Sequence, residues 1–155
     1  MIQAKRAALI LLPFLAGCFG GGTPSGETPD LILWETYNNE EHTVFEGIVR
    51  DFEKDHLSRT GEAVRIEVKR LPFDSHIRKL QFAAITHTTP DIARVDAGQL
   101  IDLAYGKALL DLTKIDPDVD TYLSSFLPAA RESVRIPIRD ADGIVRTGVY
   151  GIPDQ

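Results

Sequence analysis

The sequence predicts an α/β fold with a parallel-core sheet and helices on both of its faces. Leu31–Trp34 is an unbroken apolar run bounded by polar residues, which is typical of a strand buried on both faces. Val64, Ile66 and Val68 alternate with charged residues, which indicates a half-buried strand at or near a sheet edge. Strand-like and helix-like segments then alternate with short connections, and this order favours βαβ units.

The first helix is predicted to begin at Glu40 and Glu41, because acidic side chains suit the positive end of the helix dipole. Gly61 is expected to end the connection after this helix. The predicted inward stripe has helical spacing and consists of Val44, Phe45, Ile48, Val49 and Phe52.

A second helix is predicted after Leu71–Phe73, with Asp74 or Ser75 as its cap. Thr88–Pro90 is expected to end it, because the residue before a proline avoids the helical region. Asp91–Asp96 is predicted as strand three, and a helix that Gly106 breaks follows it. The predicted inward residues of the second helix are Ile77, Leu80, Ala84 and Ile85.

The last third of the chain is predicted to hold one helix and one hairpin. Asp140–Gly143 is a turn sequence that needs its glycine, flanked by strand-like Arg135–Pro137 and Ile144–Arg146. Val149–Pro153 is predicted as the last strand-like piece. The helix is expected to end near Val134, with a stripe of Tyr122, Leu123, Phe126, Leu127 and Ala130.

The first 29 residues are predicted to lie outside the fold. Basic Lys5 and Arg6 precede a short apolar run, as in a secretory signal. Leu15–Cys18 resembles a bacterial lipobox, which implies cleavage before Cys18 and lipid on its sulfur; an ordinary signal with an incidental cysteine is the alternative. We expect an exported, lipid-anchored protein, periplasmic or at the cell surface, divided into residues 1–17 (signal peptide), 18–29 (flexible tether) and 30–155 (α/β lobe).

Composition and motifs argue against several classes of function. The 155 residues carry a formal net charge of -6, which gives no reason to expect nucleic acid as a partner. A single cysteine excludes an internal disulfide and a cysteine-based zinc site. The four histidines lack metal-ligand spacing and are interpreted as separate surface residues. No nucleophile elbow, phosphate loop or dinucleotide fingerprint is present, which removes the common arguments for an enzyme without excluding one. We expect no cofactor, no metal and no enzyme activity.

Polar and aromatic residues follow the predicted strands, where open α/β sheets bind ligands. Acids, amides and hydroxyls beside aromatic rings suit an uncharged polyhydroxy ligand. Structural alternatives remain open: Trp34 as core, Tyr37 packed on its own helix, and Asp74 and Asp96 as helix caps. The candidate ligand-binding residues are Trp34, Glu35, Thr36, Tyr37, Asn38, Asp74, Asp96 and Gln99.

An ordered series of motifs resembles a known family. After the lipobox come Leu31–Trp34, Phe52–Lys54, Leu80–Ala84, Pro90–Asp96, Ala108–Leu112 and Tyr150–Pro153. In this order they resemble the amino-terminal part of extracellular solute-binding proteins (family 1, maltose/oligosaccharide type) of bacterial ABC importers. The resemblance implies two α/β lobes around a ligand cleft, with strand one between strands two and three. It also implies a monomer that captures a maltodextrin-like sugar and delivers it to permease subunits driven by a cytoplasmic ATPase.

On this resemblance the chain corresponds to the first lobe, and most of the second lobe is missing. Cleft closure needs both lobes, so we expect the chain alone to bind sugar poorly. Two alternatives remain. One is a receptor of the same architecture for an iron chelate, a polyamine or glycerol phosphate. The other is a lipid-anchored hydrolase whose nucleophile lies beyond Gln155.

Overall fold

The computed structural model describes residues 28–139 and 141–154. The predicted signal peptide, Cys18 and most of the predicted tether lie outside the described residues. Within these ranges no helix combines the length and apolar character that crossing a membrane requires. The elements are β1 (Leu31–Glu35), α1 (Asn39–Thr60), β2 (Ile66–Arg70), α2 (Phe73–Thr86), β3 (Ile92–Ala93), α3 (Ala97–Tyr105), a 3-10 turn (Leu112–Lys114), α4 (Val119–Leu123), α5 (Pro128–Ser133), β4 (Arg135–Arg139) and β5 (Val145–Val149).

The main sheet has three parallel strands in the order β2-β1-β3. Leu31 pairs with Ile66 of β2, and Leu33 pairs with Ile92 of β3. This confirms the α/β class and the middle position of the first strand. β2 lies at an edge of the described sheet and is half-buried, as its alternating sequence predicts.

β3 is much shorter than the predicted strand 91–96. The Asp91 carboxylate accepts a hydrogen bond from the Ile32 backbone N–H (2.8 Å), so a side chain takes the place of a ladder bond. After Ala93 the Arg94 N–H still donates to the Trp34 carbonyl (2.8 Å), and the chain then turns to Asp96, the N-cap of α3. The three residues from Arg94 to Asp96 therefore lie beyond the carboxyl end of β3.

α1 begins one residue before the predicted Glu40 and runs up to Gly61, so no separate connection precedes that glycine, and most of its apolar stripe is exposed. Gly61 takes a left-handed conformation (φ 76°) and ends the helix. Of the predicted inward residues Val49 is buried, whereas Val44, Ile48 and Phe52 are exposed. The helix has 22 residues, about 33 Å of length, while β1 and β2 have five residues each, about 17 Å. The described sheet is too short to cover the whole helix.

α2 differs from the prediction at its start and in its inward face. Its N-cap is Pro72, without a side-chain cap bond, so Asp74 and Ser75 are not its caps. The helix ends at Thr86, before the predicted stop. The buried residues are His76, Leu80 and Ala83, whereas Ile85 is exposed. Leu80 is therefore inward as predicted, and Ile77 and Ala84 are half-buried, whereas the inward positions of His76 and Ala83 were not predicted.

The predicted single helix before the hairpin is two short helices, α4 and α5. Pro128 opens α5, and the preceding Leu127 is held extended at ψ 145° because of the proline ring. β4 and β5 form the predicted antiparallel hairpin, with Gly143 at φ 81° in its turn. β5 ends at Val149, so the predicted strand 149–153 is absent. A core cluster joins Leu100, Ala104, Val119, Leu123, Val134, Ile136 and Val149.

Candidate ligand-binding cleft

A cleft of about 950 Å³ opens beside the carboxyl ends of β1 and β3. Its walls come from the residues after these two strands, from the start of α3 and from the segment that follows β5. Apolar side chains such as Leu33 and Leu100 line its inner part. This is the switch point at which the chain leaves the middle strand in opposite directions, where open α/β sheets bind their ligands. The charged and aromatic side chains of the wall are Tyr37, Phe45, Asp91, Arg94, Asp96, Tyr150 and Asp154.

Arg94 is the centre of the polar wall. Its guanidinium carbon lies 4.4 Å from the centroid of the Tyr37 ring, in a cation–π contact. Its Nε donates to Oδ2 of Asp154 (3.0 Å), and its Nη1 donates to the Thr36 hydroxyl (3.3 Å). Burial alone would lower the pKa of Arg94, but the interactions with Tyr37 and Asp154 raise it above its ordinary value. The guanidinium therefore stays charged.

Tyr37 is held on several sides. Its hydroxyl donates to Oδ2 of Asp154 (3.3 Å), and its ring packs at a tilt on Phe45, with 5.3 Å between the centroids. Burial raises the pKa of the Tyr37 hydroxyl, and the charge of Arg94 opposes that rise. The phenol is therefore neutral at physiological pH and works as a hydrogen-bonding group.

Glu35 lies beneath this wall, with none of its surface exposed. One carboxylate oxygen is 2.7 Å from Nδ1 of His42, and the other accepts the Tyr37 backbone N–H. This placement leaves the carboxylate no surface for a ligand, so the predicted role of a direct ligand contact does not fit the position of Glu35.

Of the other predicted site residues, three take part in helix caps and Asp74 does not. Oδ1 of Asn38 accepts the Glu41 backbone N–H (2.9 Å) and caps α1. Asp96 is the N-cap residue of α3, and its backbone N–H donates to Oε1 of Gln99 (3.4 Å). Asp96 also lines the cleft, so capping and ligand contact are compatible there. Asp74 is exposed in the first turn of α2 and is not part of the cleft wall.

Trp34 faces away from the cleft. It lines a separate pocket of about 370 Å³ together with residues of α2, among them Ser75, Lys79 and Phe82. Its indole Nε1 is buried without a partner among the described residues. Successive residues of a strand point to opposite faces of the sheet, so Trp34 and its neighbours Leu33 and Glu35 lie on different sides. This placement fits the core alternative for Trp34.

The structure therefore brings together Thr36, Tyr37 and Asp96 of the predicted set, and it adds Arg94 and Asp154. Arg94 was missed because the predicted strand ran to residue 96, which placed it within a strand rather than after one. Asp154 lies 60 residues further along the chain, and no local pattern relates it to Arg94.

The prediction of separate surface histidines is wrong for His76, which is 2% exposed. Burial lowers its pKa, while nearby Asp96 and Glu35 act to raise it and Arg94 acts to lower it. His42 is bound to Glu35. Across the described ranges no group of three or more acidic, histidine or cysteine side chains is placed to hold a metal ion.

The described unit, with three parallel strands in the order 2-1-3 and a cleft at its switch point, shares its fold with part of several solved binding proteins. No protein-family model matches the chain, and no curated protein matches it either. Solved structures do match. The cyclic alpha-maltosyl-1,6-maltose binding protein from Arthrobacter globiformis is 23% identical, with a TM-score of 0.57, and the match covers 71% of this chain and 28% of that one.

Two further structures agree in fold. CpMnBP1, solved with mannotriose bound, is 24% identical with a TM-score of 0.59, over 80% of this chain and 28% of that chain. The GacH receptor of Streptomyces glaucescens, solved unliganded and with acarbose, is 24% identical with a TM-score of 0.58, over 69% and 28%. The chain thus spans less than a third of the length of each of these proteins. The likeness confirms the fold that the motif series implies.

Proposed function

We propose that this chain is the amino-terminal lobe of a sugar-binding receptor of an ABC importer, and that it does no bond chemistry on its ligand. The observation that carries the proposal is the cleft at the switch point, lined by Tyr37, Arg94, Asp96 and Asp154, with Thr36 bound to Arg94 behind it. The names of the solved structures that share this fold support a saccharide ligand.

The wall suits an uncharged polyhydroxy ligand. The Arg94 guanidinium supplies donors, the Asp96 and Asp154 carboxylates supply acceptors, and the Tyr37 hydroxyl does both. Arg94 is the one basic side chain among the described residues that line the cleft, and Asp154 already balances its charge. The wall therefore offers no excess positive charge to an anionic ligand. Sugar hydroxyls, which donate and accept, fit such a mixed set.

The location and partners belong to the same proposal. The lipobox-like segment before Cys18 would place the receptor on the outer side of the membrane, held by lipid. A second lobe would supply the opposite wall of the cleft, and the closed receptor would deliver its sugar to the permease.

Isothermal titration of the protein expressed from its complete reading frame tests the proposal, with maltotriose and mannotriose as ligands. Asp96→Ala should weaken binding of whichever sugar binds by about tenfold or more, since it removes a charged hydrogen-bond partner. Asp55→Ala is the matched control, because Asp55 is an exposed acid on α1 that pairs with Arg59. Absence of binding to any saccharide, or equal effects of the two variants, would contradict the proposal.

A cationic solute is the second candidate, because Asp91, Asp96 and Asp154 outnumber Arg94 on the wall. Asp91 is partly committed to the Ile32 backbone, which weakens this candidate. Titration with spermidine under the same conditions distinguishes the two. Spermidine binding that exceeds saccharide binding and disappears with Asp96→Ala would replace the sugar by a polyamine.

A further inference from the structure

Glu35 is a buried carboxylate at the end of β1 that the proposed ligand contacts do not use. It is fully buried, yet it is hydrogen-bonded to the backbone of Tyr37, which lines the cleft. A buried carboxylate needs strong partners, because an uncompensated charge in the interior is very unfavourable. Its partners are therefore informative about its role.

The two oxygens of Glu35 have different partners. Oε1 meets Nδ1 of His42 at 2.7 Å, and Nε2 of His42 lies 3.5 Å from Oε1 of Glu46 on the same helix. Oε2 accepts the backbone N–H of Tyr37 at 2.5 Å. One side of Glu35 is thus anchored to α1, and the other side holds the first turn of chain after β1.

Tyr37 connects Glu35 to the side chains that line the cleft. Its backbone is bound to Glu35, its ring lies under the Arg94 guanidinium and beside Phe45, and its hydroxyl reaches Asp154. Tyr37, Arg94 and Asp154 are the groups that we propose contact the ligand. If the Tyr37 backbone moves, the surface on which Arg94 lies moves with it.

We propose that Glu35, held by His42, is the positioning residue of the cleft wall: it fixes Tyr37 through its backbone N–H and thereby sets where Arg94 and Asp154 meet a ligand. The expected effect of Glu35 on ligand binding rests on the proposed function. The expected effect of Glu35 on the position of Tyr37 does not. Glu35 acts through Tyr37 and touches no ligand. Two other titratable groups lie near the pair: Glu46 on α1, and His76 on α2, whose pKa the Glu35 carboxylate acts to raise.

The experiment follows the Tyr37 ring by NMR in the protein expressed from its complete reading frame. The ¹³Cζ resonance of Tyr37, assigned with Tyr37→Phe, is followed against pH in the wild type and in variants. Burial raises the pKa of Tyr37 above its ordinary value, so release of the ring into solvent should move the titration back towards that value. We expect that shift in Glu35→Ala, together with a loss of about tenfold or more in maltotriose affinity.

Two variants separate positioning from general damage. Glu35→Gln keeps an oxygen for the Tyr37 N–H and places an amide group against Nδ1 of His42, so it should retain the wild-type titration of Tyr37. Glu53→Ala is the matched control: Oε1 of Glu53 accepts the Ile66 backbone N–H at 2.7 Å, the same kind of bond at the start of β2. It should leave Tyr37 unchanged.

A wild-type Tyr37 titration in folded Glu35→Ala overturns the inference, whatever happens to sugar affinity. If that variant does not fold, His42→Ala takes its place, since the His42 side chain is partly exposed; an unchanged Tyr37 titration in it likewise overturns the inference. A shifted titration in a protein that binds no saccharide supports the positioning role and refutes the proposed function.

Discussion

Arg94 connects groups that are far apart in the sequence. It follows β3, it stacks on the side chain that follows β1, and it binds a carboxylate beyond β5. A lysine could supply the charge, but not the planar fork that stacks on the Tyr37 ring while it donates to two partners. The identity of this one residue therefore matters for the whole wall.

Arg94→Ala is expected to lower the free energy of unfolding by about 1 kcal/mol, since it removes the cation–π contact and the bond to Asp154. Urea unfolding measures the change. Arg59→Ala removes an exposed pair with Asp55 on α1 and should change stability by about 0.5 kcal/mol or less. Equal effects of the two substitutions would show that the Arg94 cluster adds nothing beyond a surface ion pair.

His76 makes stability depend on pH in a defined direction. Burial lowers its pKa in the folded protein, whereas in the unfolded chain the ring titrates at its ordinary value of about 6.5. The unfolded state therefore binds the proton more readily, and stability should fall as the pH drops from about 6.5 through the lower folded-state pKa. His76→Leu should flatten the pH dependence of the urea midpoint in this range. A wild-type slope in His76→Leu would refute this assignment.

At the scale of single elements, the ends of the strands and helices determine which residues reach the site. β3 begins at Ile92 because the Asp91 side chain replaces the preceding ladder bond, and it stops at Ala93 because the chain turns to Asp96, the N-cap of α3. α4 and α5 are separate because of Pro128. The regular core of an element follows from periodicity, but its last residues follow from caps and prolines.

The first turn of α1 provides a test that separates capping from ligand contact. Asn38→Ala removes the cap bond to Glu41 and should lower the free energy of unfolding by about 1 kcal/mol. Asn38→Asp keeps a good cap and should leave stability nearly unchanged. If Asn38→Asp retains stability but weakens maltotriose binding, the Asn38 amide also contacts the ligand. Equal stability of the alanine variant and wild type would contradict the capping role.

At the scale of the whole molecule, the described lobe leaves apolar surface uncovered. Val44, Ile48 and Phe52 lie along one exposed side of α1, and Phe82 and Ile85 are exposed on α2. The described residues likewise supply one wall of the cleft. The chain spans 28% of the length of each of the three solved structures described above. A two-lobed receptor would need the remainder to close over a ligand.

Differential scanning fluorimetry tests the need for a second wall. With maltotriose at saturating concentration, the protein from the complete reading frame should melt at a higher temperature, whereas residues 18–155 alone should show no shift. The ligand-free melting curve of residues 18–155 serves as the control that this piece is folded. A clear shift for residues 18–155 would refute the two-lobe requirement.

The sequence by itself determined the elements and their class. Apolar periodicity located β1, α1, β2, α2 and the hairpin, because burial of apolar surface is the dominant local signal. Gly61 and Gly143 were recognised at their turns, since few other residues adopt positive φ without strain. The resemblance of the motif series to a family supplied the strand order that the structure confirms.

Only the tertiary structure decided the wall of the cleft. Glu35 and Trp34 are adjacent polar and aromatic candidates in the sequence, yet one is buried beneath the wall and the other faces α2. Arg94 and Asp154 meet although 60 residues separate them. The physical reason is that local pattern reports how each residue relates to its own helix or strand. A binding site is made where the ends of several elements converge, and that convergence depends on packing between them.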